Sequence, residues 1–156
     1  MKELSPEEKW KRCRAALSML LGTSLDAVKK RYGRKGLEII AQAWEENNQK
    51  AARRLMELVG EEEASLATVA KIIDFTDAIY GVEGEWKEIT PTRAVKIETT
   101  CPIAKNFPEE MCTLCFASSM QGIAKGVTGN PKVRCRMPKS IPNGDGYCEI
   151  ILEMAE

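Results

Sequence analysis

The chain has 156 residues, of which 44% are hydrophobic, and this size and composition are typical of one domain with a buried core. Its 23 basic and 23 acidic residues balance, so we expect neither a nucleic-acid-binding surface nor a basic surface for an anionic membrane. The complete absence of histidine excludes Ser-His-Asp and Cys-His nucleophile arrangements, His-ligated catalytic zinc and His-ligated haem.

The first half of the chain shows helical periodicity. Ser5, followed by Pro6 and two glutamates, is typical of a helix N-terminus. Glycines that follow the apolar runs, Gly22 among them, indicate where helices stop. The pattern predicts four helices, at about residues 6–21, 24–32, 37–59 and 62–80.

The second half changes to the period of two that is typical of strands. It predicts a hairpin of residues 85–90 and 93–100, a helix from Pro108 to about Lys125, and a second hairpin of residues 132–138 and 147–154. We therefore predict an α+β fold in which the N-terminal helices pack on an antiparallel sheet. Residues 1–156 are expected to form a single domain with a helical half (1–81) and a cysteine-rich α+β half (82–156).

Six cysteines need a reason in a chain whose N-terminus lacks a signal-like apolar segment and which has no apolar stretch of membrane-spanning length. We expect a cytoplasmic protein, because a reducing compartment gives disulfides little use. Cys13 lies on the apolar stripe of the first helix and is expected to pack in the core. The other five fall in the last third of the chain, at Cys101, Cys112, Cys115, Cys135 and Cys148.

These five thiols suggest a metal site. Cys112 and Cys115 form a Cys-x-x-Cys pair on one face of a helix, and Cys101 ends the strand shortly before that helix. Cys135 and Cys148 are expected to point inward from the last hairpin as near neighbours. Four thiolates without histidine suit either zinc or an iron–sulfur cluster. The predicted ligands are Cys101, Cys112, Cys115 and Cys148, with Cys135 as the substitute for Cys148.

Two other interpretations of Cys135 and Cys148 stay open, namely core packing and a redox-sensitive disulfide between them. The helix face that carries Cys112 and Cys115 continues with small residues, including Ser119 and Gly122. Such a face lets a ligand, a cluster or another backbone approach closely. We therefore predict Ser119 and Gly122 as cofactor-binding residues.

Several segments between Tyr32 and Leu152 carry a family resemblance: Tyr32-Gly33, Cys101-Pro102, the Cys112-x-x-Cys115 pair, Gly122, and the terminal Gly144-Asp-Gly-Tyr-Cys148-Glu strand. Together they resemble the L-2-amino-thiazoline-4-carboxylic acid hydrolase-like family. The terminal hairpin is also similar to that of vinyl-reductase-type small-molecule-binding domains, which share a TRAPP-like α+β fold. The resemblance implies helices packed on an antiparallel sheet, a ligand pocket between them, and a homodimer.

Three functions are consistent with these features. The favoured one is a small-molecule-binding or sensor-type domain with a cysteine-ligated metal ion or iron–sulfur cluster. The second, implied by the resemblance, is hydrolysis of a small sulfur-containing ring such as an amino-thiazoline carboxylate, with Cys112 or Cys115 as nucleophile. The third is a non-catalytic module that binds an apolar ligand and pairs with a second copy through its N-terminal helices.

Overall fold

The computed structural model describes residues 3–154, which form three α-helices and a four-stranded antiparallel sheet. The helices are α1 (Pro6–Val59), α2 (Leu66–Tyr80) and α3 (Ala117–Thr128), and a π-helical segment (Met111–Phe116) leads directly into α3. The strands are β1 (Glu83–Ile89), β2 (Arg93–Thr100), β3 (Val133–Lys139) and β4 (Cys148–Met154). None of the described helices combines the length and the apolar character that crossing a membrane requires.

α1 begins with a capping box, in which the Ser5 hydroxyl accepts from the Glu8 amide and the Glu8 carboxylate accepts from the Ser5 amide. The prediction that a helix ends at Gly22 is wrong, because α1 continues through it. Gly22 serves close packing instead, since a Cβ there would lie 1.8 Å from the Asn106 carbonyl oxygen. The predicted interruption near Gly33 is confirmed: its φ of 63° kinks α1 into a first part (6–32) and a second part (34–59).

The strands are ordered β1-β2-β4-β3, and each neighbouring pair is antiparallel. Both predicted hairpins are present, and the central β2–β4 pair joins them with Glu98 opposite Cys148. α2 and α3 pack on this sheet through a core that includes Val69, Ile72 and Leu152. The predicted α+β fold, with helices on an antiparallel sheet, is confirmed.

α3 lies along the second part of α1 at short distance. A Cβ on Gly122 would lie 2.2 Å from the Glu45 carbonyl oxygen, and one on Gly126 would lie 2.5 Å from the Gln49 carbonyl oxygen. Two side chains of α3 also bind the Glu45 carboxylate of α1: Lys125 forms an ion pair with it, and Gln121 donates a hydrogen bond to it. This contact fixes α3 against α1.

The first part of α1 is much less covered. Trp10, Leu17 and Leu20 are 42%, 57% and 60% exposed, respectively. Cys13 is exposed as well, so the expectation that it packs in the core is wrong. The apolar stripe to which Cys13 belongs is only partly covered by the other described elements.

Candidate ligand-binding cavity

A cavity of about 740 Å³ lies between the helices and the sheet. Both parts of α1, together with α2, α3 and the end of β2, contribute to its wall. Most of the wall is apolar, and its large side chains include Leu21, Trp44, Leu55, Ile73, Phe116 and Ile123. Arg14 and Arg54 also line it. This combination of a mostly apolar wall and a few polar groups is typical of small-molecule sites.

β2 and α2 build the polar end of the cavity. Lys96 and Glu98 are two residues apart on β2 and therefore point to the same side of the sheet. The Lys96 ammonium donates to Asp74 and Asp77, which lie three residues apart on α2 and hence on one face of that helix. Burial alone would lower the pKa of Lys96, but the two carboxylates outweigh it and raise that pKa.

Glu98 is the unusual member of this group, because its side chain is buried without full hydrogen bonding. The residue is only 5% exposed, and its Oε1 has no hydrogen-bond partner among residues 3–154. Burial, followed by repulsion from Asp77 and Cys148, raises the pKa of Glu98 to about 8. Burial also raises the pKa of the neighbouring Asp77. Near neutral pH, Glu98 is therefore largely an uncharged acid on the cavity wall.

Three thiols, those of Cys101, Cys112 and Cys148, also line the cavity. The Cys112 thiol donates a hydrogen bond to Cys148, and the Ile141 backbone amide donates to the same sulfur at 3.4 Å. These hydrogen bonds outweigh burial and lower the pKa of Cys148 to about 7. The donor Cys112 has a raised pKa for the same reason, and burial raises that of Cys101 to about 11. Cys148 is thus the member of the three that forms a thiolate most readily.

Cys115 and Cys135 do not line this cavity. Cys115 is fully buried on the other side of the π-helical segment, where its thiol lies 3.9 Å from the Leu37 carbonyl oxygen. Cys135 lies on β3 opposite Leu152, four positions along β4 from Cys148. The register therefore separates Cys135 from Cys148, which were expected to be near neighbours.

The local helix type explains why the Cys-x-x-Cys pair diverges. Thiols three residues apart share a face of an α-helix, but Cys112 and Cys115 lie in the π-helical segment Met111–Phe116. A π-helix has a wider turn, so side chains three residues apart point in more different directions. Cys112 packs with Met137 and Cys148, whereas Cys115 packs with a different apolar cluster.

The favoured prediction of a zinc or iron–sulfur domain is corrected by this arrangement. Within residues 3–154, no group of three or more Cys, Asp or Glu side chains is placed to hold a metal ion. Of the predicted ligands, Cys101, Cys112 and Cys148 line one cavity, whereas Cys115 and the substitute Cys135 lie elsewhere. The donor set therefore does not fit a four-thiolate site.

Ser119 and Gly122, the two small residues of α3 predicted to bind a cofactor, have different surroundings. Ser119 lines the cavity, and its hydroxyl accepts a hydrogen bond of 2.8 Å from the Asn48 side-chain amide. Gly122 packs against the α1 backbone at Glu45, so another backbone makes the close approach there.

Sequence reasoning missed Glu98, Lys96 and Asp77. Alternation along β2 shows that Ala94, Lys96 and Glu98 share one side, but it does not show which side is buried. A signal is present in Asp74 and Asp77, two acids on one face of a helix that is otherwise rich in apolar residues. Both acids form ion pairs with Lys96, the buried lysine of β2.

No protein-family model and no curated protein matches the chain. The resemblance to the amino-thiazoline hydrolase-like family therefore stays a prediction. Both thiols predicted as nucleophiles have raised pKa values, which for Cys115 results from burial and reaches about 11. A thiol with a raised pKa is a poor nucleophile near neutral pH.

Two solved structures are similar in fold. A trafficking protein particle complex subunit 3 from Naegleria fowleri, covalently bound to palmitic acid, superimposes with a TM-score of 0.63 at 16% identity, covering 94% of this chain and 97% of the other. The phenol-responsive sensory domain of the transcription activator PoxR, with phenol, has a TM-score of 0.67 at 8% identity, covering 88% of this chain and 74% of the other. At these identities the likeness concerns the fold, and it confirms the predicted TRAPP-like architecture of this chain.

Proposed function

We propose that this chain is a non-catalytic, sensory-type domain that binds a small apolar molecule in the cavity between its helices and its sheet. The observation that carries the proposal is the cavity itself. Its volume of about 740 Å³ falls in the range of roughly 300–1,000 Å³ that is typical of ligand pockets. The two structural neighbours, one bound to palmitic acid and the other described with phenol, are consistent with an apolar ligand in this fold.

The position of the cavity suggests how a bound ligand would change the protein. Trp10 and Leu21 line it from the first part of α1, and Trp44 and Leu55 line it from the second part. The kink at Gly33 separates the two parts. A ligand that contacts both parts binds best to the conformation of α1 whose kink angle allows both contacts. Binding therefore increases the population of that conformation.

We also propose that the chain forms a homodimer in a reducing, cytoplasmic environment. The first part of α1 supports the dimer, because Leu17, Met19 and Leu20 are each more than half exposed. All six cysteines are free thiols, as a reducing compartment would keep them.

A bulky residue placed in the cavity tests the ligand-binding function. Ala51 lies on α1 and lines the cavity, so Ala51→Phe fills part of the space that the ligand needs. We expect this variant to bind bromobenzene and dodecanoate, an aromatic and an acyl-chain probe, at least about 10-fold more weakly than the unmodified protein. Dissociation constants from NMR titration give the comparison.

The matched control is Ala43→Phe, which adds the same side chain to an exposed position of the same helix outside the cavity. It should bind both probes like the unmodified protein. Failure of the unmodified protein to bind either probe, or equal binding by the Ala51→Phe variant, would contradict the proposal.

A further inference from the structure

We propose that Arg14 and Arg54 together bind a carboxylate at the mouth of the cavity, so that the ligand is an amphipathic acid with one anionic head group and an apolar body. This inference rests on the proposed ligand-binding function and adds the chemical class of the ligand. It assigns the two arginines as the residues that recognise the head group.

The first argument is the position of each arginine within an apolar helix face. Arg14 lies between Trp10 and Leu17, and all three residues line the cavity. Residues three and four positions apart share one face of a helix, so the charged side chain interrupts an apolar stripe. Arg54 follows the cavity-lining Ala51 at the same kind of spacing. Each arginine thus occupies a position that periodicity would assign to an apolar residue.

The second argument is that both guanidinium groups are available to a ligand. Neither forms a hydrogen bond or an ion pair with residues 3–154, although each carries several N–H donors. The adjacent Arg53, which does not line the cavity, pairs instead with Glu57. Arg14 is half-buried and Arg54 is exposed, which places them where the cavity meets solvent. A head group can therefore reach both of them.

The third argument is that the kink in α1 brings the two arginines to the same end of the cavity. Leu21 and Trp44 lie at similar distances in sequence before and after Gly33, and they pack against the same apolar cluster. The two parts of α1 therefore lie side by side, and residues at matching distances from the kink come together. Arg14 and Arg54 are such a matching pair, so one carboxylate can accept hydrogen bonds from both.

The C-terminal end of α2 fixes the position of Arg14. A Cβ on Gly81 would lie 2.3 Å from a guanidinium nitrogen of Arg14, so the guanidinium group lies directly over that glycine. One turn earlier on α1, the Trp10 indole donates to the Ile79 carbonyl oxygen at 2.9 Å and holds this part of α1 on α2. Arg14 is therefore held near the position that it needs before a ligand binds.

The other end of the cavity suits an apolar body. The ring of Phe116 lies 5.8 Å from that of Trp44 and 5.6 Å from that of Phe107, centroid to centroid, and all three line the cavity. Leu21 packs against the same cluster and is about 10 Å from Arg14 along the helix axis. An acyl chain of medium length spans this distance from the arginines to the aromatic rings.

The remaining ionisable groups of the cavity are compatible with one added negative charge. Asp77 is paired with Lys96, and Glu98 is largely uncharged near neutral pH because burial raises its pKa to about 8. The guanidinium fork matches both carboxylate and phosphate oxygens. A mostly apolar wall favours the carboxylate, because a phosphate monoester brings close to two charges that must lose water.

A matched pair of probes, octanoate and 1-octanol, isolates the negative charge. We expect the unmodified protein to bind octanoate about 10-fold more tightly near pH 7, as charge-assisted hydrogen bonds imply. In the double variant Arg14→Gln, Arg54→Gln this preference should disappear, whereas the affinity for 1-octanol should stay within about 3-fold. The double variant Arg14→Lys, Arg54→Lys should still prefer octanoate, because both positive charges remain. Dissociation constants from NMR titration give each ratio.

The double variant Arg12→Gln, Arg53→Gln is the matched control. It removes the same two charges from exposed positions of α1 beside the two arginines, and neither position lines the cavity. This variant should keep the full preference for octanoate. Loss of the preference to the same extent as in Arg14→Gln, Arg54→Gln would overturn the assignment, because the net charge of the chain would then explain it.

The outcomes separate this inference from the function on which it rests. If neither probe binds the unmodified protein, the ligand-binding function itself is wrong. If 1-octanol binds as tightly as octanoate, or if Arg14→Gln, Arg54→Gln keeps the preference, the cavity binds ligands but the arginines do not select them. The ratio for the unmodified protein needs no variant, so it can overturn the proposal even where a variant fails to fold.

Discussion

At the scale of single residues, Glu98 and Cys148 stand opposite each other on the β2–β4 pair and give one end of an apolar cavity its chemistry. Their pKa values move toward neutrality from opposite directions, to about 8 for the acid and about 7 for the thiol. Both groups therefore change charge near physiological pH, which makes each of them accessible to a titration experiment.

Glu98 predicts a pH dependence of stability. Because its pKa is raised from 4.5 to about 8 on folding, the folded chain binds a proton that the unfolded chain has released, and stability falls as pH rises between these values. We expect Glu98→Gln to be more stable than the unmodified protein by at least about 1 kcal/mol near pH 9, with a smaller difference near pH 5. Urea unfolding at both pH values measures this, and a constant difference would contradict the burial of an ionisable Glu98.

Cys148 predicts a distinct thiol reactivity. Since the thiolate is the reactive form, its alkylation by iodoacetamide should rise with pH through about 7 and level off above it. Cys112→Ala removes the donated hydrogen bond and should move this rise upward by about one pH unit. Mass spectrometry of digested protein follows each thiol separately, and Cys115, with a pKa raised to about 11, is the internal control. An alkylation profile for Cys148 that matches that of Cys115 would refute the hydrogen-bonded thiol pair.

At the scale of elements, the strands and the C-terminal ends of α1 and α2 were predictable, whereas the continuation of α1 through Gly22 and the faces that the helices present were not. Period-two alternation placed β2 at residues 93–100, which is its observed range, and the helix-ending glycines placed the ends of α1 and α2 correctly. The convergence of Cys101, Cys112 and Cys148 was also anticipated. Cys115 was not placed correctly because nothing in helical periodicity signals a π-helical segment, which redirects one thiol of the pair.

The glycines of α3 predict the strength of its contact with α1. A Cβ at Gly122 would lie 2.2 Å from the Glu45 carbonyl oxygen, so Gly122→Ala forces the two backbones apart. We expect a loss of about 1–3 kcal/mol in the free energy of unfolding, as for other overpacked sites. Lys50→Ala, at an exposed position of α1, should change it by less than about 0.5 kcal/mol. Unfolding of the Gly122→Ala variant at the same urea concentration as the unmodified protein would contradict the close approach.

At the scale of the whole molecule, the uncovered first part of α1 predicts self-association. Leu20 is 60% exposed and does not line the cavity, so Leu20→Glu should disrupt a dimer without altering the ligand site. Light scattering should show a dimer for the unmodified protein and for the control Lys50→Glu, and a monomer for Leu20→Glu. A monomeric unmodified protein at high concentration would end the dimer proposal.

The cavity also belongs to the whole molecule, which is why sequence patterns did not locate it. Its wall combines residues from Trp10 to Cys148, contributed by the three α-helices, the π-helical segment and the strands β2, β3 and β4. Apolar periodicity marks each contributing helix face as core, because a residue that faces a ligand and one that faces a neighbouring side chain are equally apolar. Only the arrangement of the elements distinguishes the two.

A crystal structure of the protein soaked with 4-bromophenol tests the central claim most directly, because the anomalous signal of bromine locates the ligand without bias. We predict a bromine peak inside the cavity near Trp44 and Phe116. A cavity without a bromine peak at saturating 4-bromophenol, or a peak confined to the outer surface, would contradict the account.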